Sequence, residues 1–541
     1  MIRKGYLYLA ITLISCVVSL MAAPSLHAQG SSKDWASYNR TWAGDRFSAL
    51  REITRKNAGG LREICTAEIP ETKSLNAGPL AIDGTVYLTT DTETYAFDGS
   101  ACALRWRHSH PYTPHSFLGG NRGAAYLDGR LFRGAGDGHV FAIDAAKGTS
   151  LWDVPIADAS KGESVPMAPI AWNGMVLVGN AGGDNFGVTG RVYALSAADG
   201  HVLWEFRSVP DTPEVKASWP NASAANPPTG GAFWTSFSLD AINGVLYVSA
   251  GNPAPDFMEA MRPGANLYTN AIIALDARTG KLLGYNQPIR NDFHDWDISA
   301  APAIITTRGG KHLALAASKD AYLHAVDLNA INASGGESAA HHGVIYSAPT
   351  ATHFNVNQPL SDKRDTRFCP GSQGGSEWNG AAYHPQLNLA FVPTTDWCTT
   401  VRLVPLDQMK GKPGEPWTGS PLPAAFGKQD PKEQWKGWVT AVNADSGAVI
   451  WKFKAPTPIL AGVTPTAGNV VFAADLNGTV YAFDAATGRR LWKGDAGAPA
   501  SGGVISYEAG GHQRIGVAAG MKSPIWPVKT AGPRFVVFGL P

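Results

Sequence analysis

Phe141-Ala-Ile-Asp-Ala-Ala-Lys-Gly-Thr-Ser-Leu-Trp152 decides the fold. An apolar strand runs into Asp144, small residues lead to Gly148, and a second strand ends in Trp152. The Asp caps a tight turn, and the Gly supplies the positive φ on which that turn ends. The unit recurs as Tyr95-Ala-Phe-Asp98 to Trp106, Tyr193-Ala-Leu-Ser196 to Trp204, Ile273-Ala-Leu-Asp276 to Leu283 and Tyr481-Ala-Phe-Asp484 to Trp492. Weaker copies stand at His324-Ala-Val-Asp327 and Thr440-Ala-Val-Asn443 to Trp451. Tight copies repeat every ~41 to 52 residues, the length of a four-stranded propeller blade. Each closing Trp is read as a plug between one sheet and the next.

Runs such as Gly84-Thr-Val-Tyr-Leu and Gly174-Met-Val-Leu-Val read as buried strands. Seven copies carry the signature, and the wide interval from Asp327 to Asn443 has room for an eighth around Ala381-Ala-Tyr and Asn388-Leu-Ala-Phe-Val. The expectation is an all-β, eight-bladed β-propeller with Trp-containing four-stranded blades, closed by pairing of the two chain ends. A seven-bladed ring with a large insertion is the alternative. A β-solenoid is disfavoured by so long and Trp-rich a repeat. Stretches 209–230 and 401–436 read as long loops.

Lys+Arg 45 against Asp+Glu 44 leaves no basic face for nucleic acid. Arg3 and Lys4, the apolar run from Tyr6 to Ala23, and Leu26-His27-Ala28 read as a secretory signal over 1–28. A membrane anchor and lipid attachment at Cys16 are the alternatives. Residues 29–541 then form a single propeller domain, exported to the periplasm, with no later apolar segment long enough to span a membrane. Four cysteines remain, and Cys65–Cys102 and Cys369–Cys398 are the favoured pairs because each brackets neighbouring strands. No Cys-x-x-Cys-His is present, so the chain carries no c-type haem of its own.

Polar chemistry concentrates between Gly251 and Asp297. Asn252 follows a strand, and Asp297 follows Trp296 in His294-Asp-Trp-Asp297. Asn252 and Asp297 are read as two walls of one site, although Asp297 alone could equally cap a turn. Gly182-Gly-Asp184-Asn185 sits in a glycine-rich loop whose oxygens can face a hard cation. Without further context, that loop reads equally as a solvated hairpin.

Gly251-Asn-Pro-Ala-Pro255, Met261-Arg-Pro-Gly264 and the His294–Asp297 motif, in that order, resemble the pyrroloquinoline-quinone (PQQ) dependent alcohol dehydrogenases. The resemblance covers about residues 34 to 525. It implies PQQ and calcium as cofactors, Asp297 as catalytic base, and Asp184, Asn185, Asn252 and Asp297 as metal ligands. It implies cofactor contacts from Arg122, Trp234, Lys319, Trp378 and Asn379, with Glu377 in a column usually held by Asn. It further implies an alcohol substrate and a separate electron acceptor such as a soluble cytochrome. Lanthanide-using members carry an Asp two residues after the base; Ser299 stands there, which implies calcium. Four departures accompany these: Asn185, with Asp184 beside it, stands in the column of a metal-binding Glu, Ser116-Phe117 replaces an adjacent cysteine pair, Leu460 replaces a second aromatic, and Asn76 replaces an acidic contact. The rival function is a non-catalytic propeller scaffold that binds protein partners in the cell envelope.

Overall fold

The computed structural model describes residues 31–70, 74–113, 120–332, 343–529 and 531–541. The 1–28 segment, Cys16 and Ser116-Phe117 lie outside them. Eight four-stranded antiparallel sheets occur among the described residues. The first is Leu80–Ile82, Thr85–Thr89, Glu93–Asp98 and Leu104–Ser109, each strand paired with the next. The short first strands of successive sheets lie against one another: Ala125–Leu127 by Ile170–Trp172, Ser238–Asp240 by Ala303–Thr306, and the latter by Ala382–His384. First strands such as Leu80–Ile82 are buried throughout, whereas fourth strands such as Ser150–Pro155 are largely exposed. The sheets thus stand as blades, inner strands gathered together and outer strands at the rim, with the apolar core between neighbouring faces.

The repeat works as its chemistry requires. Asp98 Oδ1 accepts from the backbone N–H of Ser100 and Ala101, both at 2.9 Å, and Asp144 Oδ1 accepts likewise from Ala146 and Lys147. The Trp then docks on the turn of the following sheet. Trp106 Nε1 donates to Ala145 O at 3.0 Å, Trp152 to Ala197 O at 3.1 Å, Trp204 to Ala277 O at 3.2 Å and Trp451 to Ala485 O at 3.0 Å. Gly148, at φ +73°, must be glycine for a second reason besides the turn: a Cβ there would lie 2.6 Å from the Trp106 ring. In the fifth sheet, where no Trp occurs, Tyr346 donates to Ala444 O at 3.1 Å instead.

One expectation needs correction. The strands around Ala381 and Asn388 are no separate blade; Ala382–His384 and Leu389–Asp396 pair with Lys436–Asn443 and Val449–Ala455, the Asn443 copy. The intervening stretch 397–435, which takes in 401–436 except its last residue, is an insertion inside that sheet. The eighth sheet lacks the signature altogether. It joins Ala500–Ala509, His512–Ala519 and Arg534–Gly539 to Arg62–Glu68, paired from Arg62 opposite Gly539 to Glu68 opposite Arg534 with a register shift between Glu63 and Cys65. Closure by the chain ends is therefore as expected.

Both expected disulfides form. Cys65–Cys102 ties the N-terminal strand of the closing sheet to the turn of the first sheet. Replacing Cys65 and Cys102 by Ser removes a link between residues 37 apart, with an expected loss of about 3 kcal/mol. Guanidinium unfolding without reductant measures it.

Candidate active site

In a four-stranded antiparallel blade, the second-to-third loop and the connection to the next blade leave at one end; the signature turns lie at the other. The chemistry gathers at the first end. Asp184 lies between the second and third strands of the third sheet, Asn252 in that loop of the fourth, and Lys319 in that of the fifth. Arg122, Trp234, Asp297, Glu377 and Trp378 lie on connections between sheets. All of them line one cavity of roughly 290 Å³.

Asp297 is placed by its neighbours. Asp292 Oδ1 accepts from His294 N and its Oδ2 from Trp296 N, both at 3.0 Å, which curls the chain ahead of Asp297. His294 stacks on Trp296 at 3.9 Å, and Trp296 Nε1 donates to Pro370 O. Asp297 Oδ1 then accepts from Asn252 N at 3.0 Å and from Trp234 Nε1 at 3.4 Å, while Oδ2 faces Lys319 Nζ at 2.7 Å. A Cβ at position 251 would stand 2.5 Å from Asp297 Oδ1, so the Gly preceding Asn252 lets the carboxylate approach. Asn252 and Asp297 thus face one another as the sequence suggested, through a backbone N–H. Lys319 also contacts Asp295 Oδ1 at 3.2 Å. Burial opposes its charge, but Asp295 and Asp297 outweigh burial and hold the ammonium well above the usual lysine range.

Arg122 and the two tryptophans form the wall. The guanidinium lies 3.8 Å over the Trp378 ring and 5.3 Å from that of Trp234. Arg122 Nε is buried without a hydrogen-bond partner. Burial lowers its pKa to about 10, so it stays cationic at neutral pH. Trp378 is fixed by donation to Ser501 O at 3.0 Å.

One predicted residue stands differently. Asn379 is not among the cavity residues. Its Oδ1 accepts from the Tyr38 hydroxyl at 2.9 Å and its Nδ2 donates to Leu460 O and Ser501 O, so it bolts the ring together. Asn185 borders the cavity; its Nδ2 donates to Gly162 O at 2.9 Å, and its Oδ1 is the atom a hard cation would take. Asp184 is joined by Asp256 and Asp295, neither counted as a ligand from sequence; one oxygen of each lies within 4.8 Å of the others. Asp295 sits at φ +66°, a backbone state that Asp tolerates better than most residues. Sequence reasoning also missed Met521, Lys522, Ile525 and Trp526, which line the cavity from the closing sheet. Leu460 is buried and does not line the cavity, but it packs in one cluster with Trp378 and Trp526, which do. Asn76 lines the cavity with its Oδ1 held by Ser74 and Ser501.

Residues 35–329, more than half of the chain, match the family model described as PQQ, glucose/ethanol/alcohol dehydrogenase, beta-propeller domain. The chain belongs to that family. Among relatives of this PQQ-family propeller, the dehydrogenase subunit of the quinone alcohol dehydrogenase of Acetobacter aceti is 28% identical over 94% of the chain and 74% of the relative. The lanthanide-dependent methanol dehydrogenase of Methylacidiphilum fumariolicum is 26% identical over 87% of the chain and 82% of the relative. The crystal structure of the quinohemoprotein alcohol dehydrogenase of Comamonas testosteroni superimposes with a TM-score of 0.81 at 24% identity, over 95% of the chain and 82% of that structure, and bears out the propeller fold. A second family model, outer membrane protein assembly factor BamB, matches residues 435–517.

Glu377 puts a buried carboxyl into the wall of this PQQ-family propeller. It is 5% exposed and its Oε1 lacks a partner. Burial raises its pKa to about 7; Lys319 and Arg122 pull it down and Asp297 pushes it up. Asp184 is raised to about 6, by burial first and by Asp297 second. A carboxyl whose pKa is higher folded than unfolded stabilises most below its unfolded value, and that contribution is lost as pH rises through the folded one. For Glu377 the window runs from 4.5 to about 7, with a loss on the order of 3 kcal/mol. Cofactor-free Glu377→Gln should therefore melt like the parent near pH 4.5 and at a higher temperature above pH 7. Melting curves across that range measure the difference.

Proposed function

We propose that this chain is a periplasmic, eight-bladed quinoprotein, residues 29–541 behind a 1–28 leader, that oxidises an alcohol with PQQ and a hard cation. Calcium is the ion expected from Ser299. Electrons pass to a separate acceptor such as a soluble cytochrome. Among the described residues, no helix is long and apolar enough to cross a membrane.

The observation that carries this reading is the Asp297 cluster beneath the tryptophan-walled cavity. A planar tricarboxylate suits it: Trp234 and Trp378 offer ring faces, and Arg122 and Lys319 offer charge. The orphan Arg122 Nε is a donor that a carboxylate would satisfy. When bound, PQQ supplies the acceptor for hydride, which no side chain can. The chain supplies the rest. Asn252 N and Trp234 Nε1 fix Asp297 Oδ1, so Oδ2 is oriented to take the alcohol proton. Lys319 Nζ stands 2.7 Å from that oxygen, so the ammonium lies beside the point the proton would reach. Trp526, Met521 and Ile525 line the cavity with apolar surface suited to an alkyl or aryl chain.

The scaffold reading draws on the BamB match alone. That segment, 435–517, contains none of the charged cavity residues.

Reconstitution tests the proposal: the purified chain is given PQQ with calcium, and absorbance and dye reduction are followed with a panel of alcohols. Trp234→Ala should lose PQQ uptake. Asp297→Asn should keep uptake while turnover falls about 10²- to 10⁴-fold. No uptake of PQQ with any cation would leave the scaffold as the better account.

A further inference from the structure

Asp184, Asp256 and Asp295 come from three segments: a loop of the third sheet, a loop of the fourth, and the connection to the fifth. One oxygen of each lies within 4.8 Å of the other two. Hard cations hold oxygens at about 2.3–2.6 Å, so a single ion can touch all three. Asp256 is fully buried, and neither of its carboxylate oxygens has a hydrogen-bond partner. Asp295, 1% exposed, leaves Oδ2 equally unpartnered.

Arg262, the nearby buried cation, favours the Asp256 charge through space but makes no hydrogen bond to its carboxylate. Its donors go to the carbonyls of Pro255, Asp256 and Asp292 and to Asn266 Oδ1. Those bonds hold the Asp256 backbone against the Asp292–Asp295 loop. The 401–436 insertion holds the opposite side: Trp417 N donates to Asp184 O at 2.7 Å, and Phe257 N donates to Thr418 O at 2.8 Å. Each acidic segment is thus pinned by its backbone, with its carboxylate left over. An unpaired buried carboxylate is among the most costly groups a fold can hold.

We propose that Asp184, Asp256 and Asp295 form the cation seat of this protein, and that their three charges hold a trivalent hard ion in preference to calcium. The proposal deepens the quinoprotein reading, on which it rests, by moving the ion off Asp297. Both Asp297 oxygens are engaged by Asn252, Trp234 and Lys319, which suits a base better than a ligand. It also reverses the expectation drawn from Ser299. The Ser299 hydroxyl is spent on Ser376 O, and the extra carboxylate comes from Asp256. Three carboxylates neutralise a trivalent ion, whereas calcium leaves one buried negative charge, and ligand charge sets affinity at such sites.

The test uses chelator-stripped protein and Asp256→Asn, which keeps the shape and removes the charge. Terbium emission sensitised by the nearby indoles is titrated, then competed with calcium. The expected result is one terbium per chain, with affinity and the terbium-to-calcium preference each falling by about tenfold or more in the variant. Metal-free Asp256→Asn should melt no lower than the parent, since an unpaired buried charge has gone. Equal terbium affinity in parent and variant, or an unchanged preference, overturns the proposal. Should Asp256→Asn not fold, Asp184→Asn serves the same comparison. PQQ uptake in the same preparations separates the two readings. Uptake with Asp256-independent terbium binding defeats the seat and spares the quinoprotein; Asp256-dependent binding without uptake does the reverse.

Discussion

The hydrogen bond from an outer-strand indole to a carbonyl in the next sheet's turn holds the ring in order. Neighbouring sheets meet mainly through apolar side chains, which are non-directional, and contact alone would let one sheet slide over another. The Trp106, Trp152, Trp204 and Trp451 bonds fix that slide, because each ring must sit on a glycine and reach one particular carbonyl. The Asp-capped turn is what presents both. Its capping bonds hold the backbone so that the acceptor points outward and the glycine leaves a flat bed. Tyr346 shows that the requirement is a flat ring with a donor at its far end rather than an indole as such.

With the ring fixed from its signature-turn end, the opposite end is released from structural duty, and its loops carry charge. The concentration there would be prohibitive if the groups acted alone. Lys319 answers Asp295 and Asp297 together, and Arg122 is spread across tryptophan faces. Arg262 and Asp292 work through the backbone and shape the loops without entering the cavity. The Met261–Gly264 motif is therefore architectural, although it sits within the stretch that carries the chemistry.

The fold was legible where its signals are local. The Asp turn, the Gly and the Trp fall within a dozen residues, so seven sheets announced themselves. The eighth did not, because its third strand, Arg534–Gly539, and its fourth, Arg62–Glu68, come from opposite ends of the chain, so no signature turn joins them. The sixth was split in two on paper because its second and third strands are separated by the 397–435 insertion. In the cavity, Asp297, Lys319, Trp234 and Arg122 come together as the family resemblance implied. Asn379 did not follow, since consecutive residues there point apart: Trp378 into the cavity, Asn379 into the body of the ring. Asp256 and Asp295 were hidden for a different reason. Whether a carboxylate ends up unpaired depends on what three distant segments do with their other donors, and no spacing records that.

The seam has a consequence for how the protein comes into being. Met521 to Trp526 leave the closing sheet to stand over the cavity, and Asn76 faces them from just beyond strand Arg62–Glu68. A nascent chain that has emerged as far as residue 500 already contains seven blades and every acidic residue of the cluster. It still has an incomplete wall, and an N-terminal strand with an open hydrogen-bonding edge, the feature that invites wrong partners. The cavity wall is therefore complete only once the two ends of the chain have paired, which makes the shape of the site a property of the whole polypeptide rather than of any one blade.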